Sequence, residues 1–123
     1  MERERFERLV VRAVAELPEE FRTRLENIDV VVEDSPAGSQ LRRGRTPPGE
    51  ILLGLYEGVP LTERSINYGL VMPDKITIFQ KPIEAVCRSD DEIAEEIGRV
   101  VRHEIAHHFG IGDERLEELE GGQ

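Results

Sequence analysis

His103 and His107 stand four residues apart in the segment HEIAHHFGIGD, and Glu104 follows the first of them directly. On an α-helix that spacing stacks the two imidazoles one turn apart, with Cβ atoms about 5–6 Å from each other. Both rings can then reach one ion at the roughly 2.0–2.1 Å of a zinc–nitrogen bond. Glu104 is turned about 100° around the axis, so it approaches a water at the ion from the side, as a general base must. Two protein ligands fall short of the three that catalytic zinc usually has. Asp113 lies six residues beyond His107, which on a continuing helix would turn it away by roughly 240°. Gly110 removes that obstacle, because a glycine in the left-handed conformation ends the helix and lets the chain turn back. Asp113 thereby becomes the expected third ligand. The competing reading is a charged helix end in which Asp113 caps the following DERLEELE segment. A carboxylate has two oxygens, so the two roles are compatible.

The chemistry expected of this set is metal-assisted amide hydrolysis. Zinc lowers the pKa of a bound water toward about 7 and polarises the carbonyl. Glu104 takes the proton as the water attacks and returns it to the leaving amine. One zinc ion is the expected cofactor, with nickel, cobalt or manganese able to use the same ligands. His108 is turned about 100° from His107 and is expected to stand beside the site rather than on the ion. Cys87 is expected to be a small core residue, since no histidine base is evident beside it.

These residues need a helix to carry them, and the sequence supplies one. Ser89 followed by Glu92 is a capping-box signature, and the proline-free run after it predicts a helix to about Phe109, with Ile93, Ala94, Ile97, Val100, Val101 and Ile105 facing inward. At the other end of the chain, Phe6, Leu9, Val10, Ala13 and Leu17 predict an amphipathic helix over residues 3–17. Pro18, Glu19 and Glu20 open a second, short helix. IDVVVE, residues 28–33, reads as a strand. Residues 34–50 contain three prolines and three glycines with no period, and are expected to be a mobile loop. ILLGLYEG, from Ile51, reads as a strand interrupted by Gly54. KITIFQKPIEAV reads as another, ended by Pro82 or placed by it at an edge. DERLEELE predicts a last short helix. Helices at both ends around two to four strands make an α+β domain, expected to be a single unit over residues 1–123.

Composition narrows the function. With 38% apolar and 34% charged residues the chain has the make-up of a folded, water-soluble domain rather than a disordered one. A formal net charge of −10 argues against nucleic acid as a partner. Arg42, Arg43 and Arg45 interrupt that acidity and are expected to be a solvated loop cluster rather than an anion site. The one cysteine excludes a disulfide framework and paired-cysteine zinc binding, which suits a reducing cytoplasm. No signal-peptide core and no apolar run of about 20 residues is present, so neither secretion nor a membrane partner is expected. A peptide or protein substrate is the expected partner, and no signal for an oligomeric state is visible.

HEIAHHFGIGDERL, together with LPEEFRTRLENIDVVVED, ILLGLYEGVPLTER and MPDKITIFQKPI, resembles the minimal zincin-like metallopeptidases of bacteria over roughly residues 10–119. The resemblance implies a minimal zincin-like fold, in which a small mixed sheet packs against N-terminal helices and the metal-motif helix. It implies His103, His107 and Asp113 as metal ligands and Glu104 as the catalytic acid/base. It also implies an edge strand that pairs with extended substrate, for which residues 75–80 are the candidate, an ordinary sheet strand being the alternative. Tyr68 is a candidate for stabilising an oxyanion, and Arg115 either bonds a ligand carboxylate or simply sits on the last helix. The chain departs from larger zincins. Its last methionine, Met72, precedes the motif, so a methionine turn is not expected. With ten residues after Asp113, neither is a third-ligand glutamate from a later helix. The missing cleft wall keeps two alternatives open: a non-catalytic metal-binding or interaction module on a zincin scaffold, and a metal-dependent endoribonuclease with similar ligand spacing, which the acidic charge disfavours.

Overall fold

The computed structural model describes residues 1–58 and 73–110. Asp113, Tyr68, Arg115 and the DERLEELE segment lie outside them. The chain opens with α1 (Arg3–Ala15), whose Phe6, Leu9, Val10 and Ala13 are all buried, as their spacing predicts. Pro18 precedes α2 (Glu19–Arg24), which tightens into a 3-10 turn (Leu25–Asn27) and leads into β1 (Ile28–Glu33). Then come α3 (Gly38–Arg43), β2 (Gly54–Glu57), β3 (Asp74–Phe79), α4 (Gln80–Val86) and α5 (Asp90–Phe109). Five helices and a three-stranded mixed sheet among the described residues give the expected α+β arrangement.

The sheet order is β1-β3-β2, with β1 parallel and β2 antiparallel to the central β3. Ile76 and Ile78 of β3 are fully buried in the same core as α1 and α5, joined by Val30 and Val32 from the matching face of β1. Each fully buried isoleucine contributes about 1.5–3 kcal/mol. Thr77 is also fully buried, on the opposite face, where its hydroxyl donates to Glu57 Oε1 at 2.9 Å. A strand whose residues 76–79 are buried on both faces belongs in the middle of a sheet. Residues 75–80 are therefore not an open edge; among the described residues β1 and the shorter β2 are the outer strands.

Three other expectations change. The stretch 34–50 contains a helix, α3, which the sequence does not announce because tertiary contacts hold it. Gln40 is buried and donates from Nε2 to Glu57 Oε1 at 3.1 Å and Glu33 Oε1 at 3.3 Å, while its own Oε1 accepts from the Ala37 N–H at 2.8 Å. The second strand starts at Gly54, leaving Ile51 57% exposed. Of the two readings of Pro82 the edge one fails: the strand ends at Phe79, and Pro82 is the third residue of α4, where a missing N–H costs no helical bond. No helix among the described residues is long and apolar enough to cross a membrane.

Candidate active site

The helix α5 carries the motif and is built firmly at both ends. Ser89 Oγ accepts from the Glu92 N–H at 3.1 Å, and Asp90, Asp91 and Glu92 put negative charge at the positive end of the helix dipole. Gly110 terminates it in the left-handed conformation, φ 71°. This is the helix stop the motif requires, at a φ that favours glycine. Ile97, Val101 and Ile105 are buried and fix the rotation of the helix about its axis. With that rotation set, Val100, Glu104 and His108, spaced at four, form one stripe along β2. His103 and His107 form the neighbouring stripe.

The fit of that first stripe against β2 is close. A Cβ on Gly54 would come within 2.4 Å of Val100 Cγ1 and 3.1 Å of the Thr77 carbonyl oxygen, so only glycine permits this approach. Two residues of strand advance roughly 6.6 Å and four residues of helix about 6 Å. Gly54 against Val100 therefore brings Tyr56 level with Glu104. The main-chain groups of Tyr56 are also turned the right way. Phe79 N–H donates to Leu53 O at 3.0 Å, and the alternation of an antiparallel ladder then leaves Gly54 and Tyr56 with their N–H and C=O groups on the side of β2 away from β3. The Tyr56 N–H donates to Glu104 Oε1 at 2.8 Å.

Tyr56 holds two further contacts. Its ring stacks on His108, with centroids 3.8 Å apart and planes 13° from parallel. Its hydroxyl donates to Asp74 Oδ2 at 2.6 Å. His108 also meets the edge of the Phe109 ring, over which the Arg24 guanidinium sits. His108 thus stands beside the motif, in line with the sequence reading. Burial pushes the Glu104 carboxyl above its ordinary pKa, against the opposing pull of the Tyr56 N–H and of His107.

The His103 and His107 rings have centroids 6.3 Å apart. A centroid lies about 3.2 Å from an ion its nitrogen binds, so two rings at a tetrahedral angle stand about 5 Å apart. The observed separation is wider than that by about 1 Å, and His107, at the exposed end of the pair, is the ring with room to change rotamer toward a shared ion. Among the described residues no three His, Cys, Asp or Glu side chains form a metal cage, and Asp113 lies beyond them. Cys87 is half-buried against the core, and burial, with Glu96 and Glu92 nearby, pushes its thiol up. That is the setting of a packing residue, not of a thiolate nucleophile. A groove between α1 and the first half of α5, lined by Arg12, Glu16, Cys87 and Arg99 among others, contains none of the motif residues.

The sequence profile of zincin-like metallopeptidases matches residues 25–123. The chain belongs to that family. Membership implies a zinc cofactor and a metallopeptidase scaffold. A conserved hypothetical protein from T. thermophilus is similar in structure, at a TM-score of 0.53 and 22% identity over 87% of this chain and 92% of that one. At that identity the likeness speaks for the fold alone. No curated protein matches the chain. Within the family frame, the feature missed in the sequence is Tyr56. The available signal was Gly54 inside a strand pattern, which marks a place where backbone is approached closely.

Proposed function

We propose that the protein is a zinc-dependent metallopeptidase in which His103, His107 and Asp113 hold one ion and Glu104 moves the proton. The observation that carries this reading is the placement of Glu104. It is a half-buried carboxylate on the stripe beside the His103 and His107 pair, with Oε1 held by the Tyr56 N–H of β2. Bound zinc would polarise the scissile carbonyl and acidify the attacking water. With Oε1 engaged by Tyr56, Oε2 is the oxygen that takes the proton from that water and passes it to the leaving amine. The raised pKa of the carboxyl suits this shuttle: a more basic carboxylate takes a proton from water more readily, and it remains a stronger acid than the amine that receives it.

The test is elemental analysis combined with cleavage of a peptide library, on wild type and Glu104→Gln. The expected result is equal zinc content and a loss of roughly 10²–10⁴-fold in hydrolysis for the variant. Unchanged hydrolysis by a metal-loaded Glu104→Gln protein would exclude the mechanism. A metal-loaded wild type that cleaves nothing would leave the scaffold as a binding module.

A further inference from the structure

We infer that Tyr56 is a positioning residue for Glu104, an inference that rests on the catalytic reading of that carboxylate. Three contacts from one residue converge on the motif helix and its flank. The Tyr56 N–H holds Glu104 Oε1 at 2.8 Å, the ring lies flat on His108 at 3.8 Å, and the hydroxyl is clasped by Asp74 Oδ2 at 2.6 Å. Glu104 and His108 are one turn apart on α5, so the main chain and the side chain of Tyr56 grip successive turns of the same stripe. Asp74 begins β3, the strand that pairs with β2, so the clasp ties the ring to the sheet rather than to a loop.

The consequence is a defined path from sheet to carboxylate. A glutamate side chain has three rotatable bonds, and an unheld carboxylate samples several rotamers. The N–H selects the one that puts Oε1 on the strand. Movement of β2 by a fraction of the hydrogen-bond length would release it, and the stack on His108 with the clasp on Asp74 resists that movement. Tyr56 itself touches no reacting atom in this account; it acts through Glu104.

The experiment compares wild type with Tyr56→Phe, Tyr56→Leu, Glu104→Gln and Glu104→Ala, each checked for folding by circular dichroism. In NMR spectra of the full chain, the Tyr56 amide is expected to exchange slowly, to stay protected in Glu104→Gln, which keeps an oxygen acceptor, and to exchange at least tenfold faster in Glu104→Ala. The His108 ring protons are expected to be shifted upfield by the tyrosine ring, to remain so in Tyr56→Phe and to return to ordinary values in Tyr56→Leu. In peptide hydrolysis, Tyr56→Leu is expected to lower kcat about tenfold with KM little changed, and Tyr56→Phe to recover most of it. A Tyr56 amide that exchanges equally fast with and without the Glu104 carboxylate would overturn the inference, as would a folded Tyr56→Leu protein with wild-type kcat. If wild type hydrolyses no peptide, the catalytic reading fails, while the exchange and ring-shift measurements still decide whether Tyr56 holds Glu104.

Discussion

At the scale of single residues, Glu57 shows how a charge is used to hold the strand that serves the site. Burial by itself would push its carboxyl up. The hydrogen bonds from Thr77 and Gln40, with the charges of Arg43 and Lys75, outweigh that and hold it below the ordinary carboxylate range. Arg43 lies 2.9 Å from Glu57 Oε2, and Thr77 and Gln40 meet Oε1. A carboxyl with a depressed pKa in the folded state binds fewer protons there than in the unfolded state. It therefore contributes stability that is complete above the unfolded pKa and is lost as pH falls through the folded one. Glu57→Gln is expected to cost about 1–3 kcal/mol at neutral pH, since the replaced group accepts charged and neutral hydrogen bonds together. Thermal melts of wild type and variant from pH 7 downward check this: the two should converge in acid. A gap that stays constant with pH would show that packing, not charge, is responsible.

At the scale of elements, the decisive contact is between β2 and α5. Gly54 is required because Val100 Cγ1 occupies the place of a Cβ. Gly54→Ala is expected to destabilise the fold by about 1–3 kcal/mol, the usual cost of overpacking a filled site, and to loosen the grip of Tyr56 on Glu104 two residues further on. The penalty should be smaller when Val100→Ala is present, because the obstructing methyl is gone. Chemical denaturation of the two single variants and the double variant gives the coupling; additive losses would mean that Gly54 is needed for another reason. Residues 75–80 cannot serve as an open edge for a different reason: their strand has β1 on one side and β2 on the other, and among the described residues β2 is the outer strand that lies against the motif helix.

At the scale of the whole molecule, the family match over residues 25–123 spans the sheet, the motif helix and the segment that carries Asp113. A metal held between α5 and that later segment would bind the folded chain and not the unfolded one, so it should stabilise the protein as a whole. Zinc at about 100 times its dissociation constant adds roughly 2.7 kcal/mol, which for a domain of this size raises Tm on the order of 10 °C. Melting curves with added zinc and with a chelator measure the shift. It should vanish in His103→Ala and His107→Ala and shrink in Asp113→Ala. An Asp113→Ala protein with the full zinc-dependent shift would remove that residue from the ligand set.

Much of this architecture is legible in local pattern alone. The spacing of Phe6, Leu9, Val10 and Ala13, the Ser89 cap, the run of Ile28 to Glu33 and the stop at Gly110 each report a preference set within a few residues, and those elements stand where the sequence places them. The i, i+4 relation of His103 and His107 belongs to the same class, because helix geometry alone brings them together. What only the tertiary structure decided is which elements meet. The helix α3 exists because a buried Gln40 bonds two glutamates on different strands. Strand β3 became central because both its faces and both its edges found partners. Tyr56 reached Glu104 because a glycine two residues earlier let a strand lie against a helix from the far end of the chain. Such contacts depend on how separate elements pack, which patterns set within three or four residues do not report.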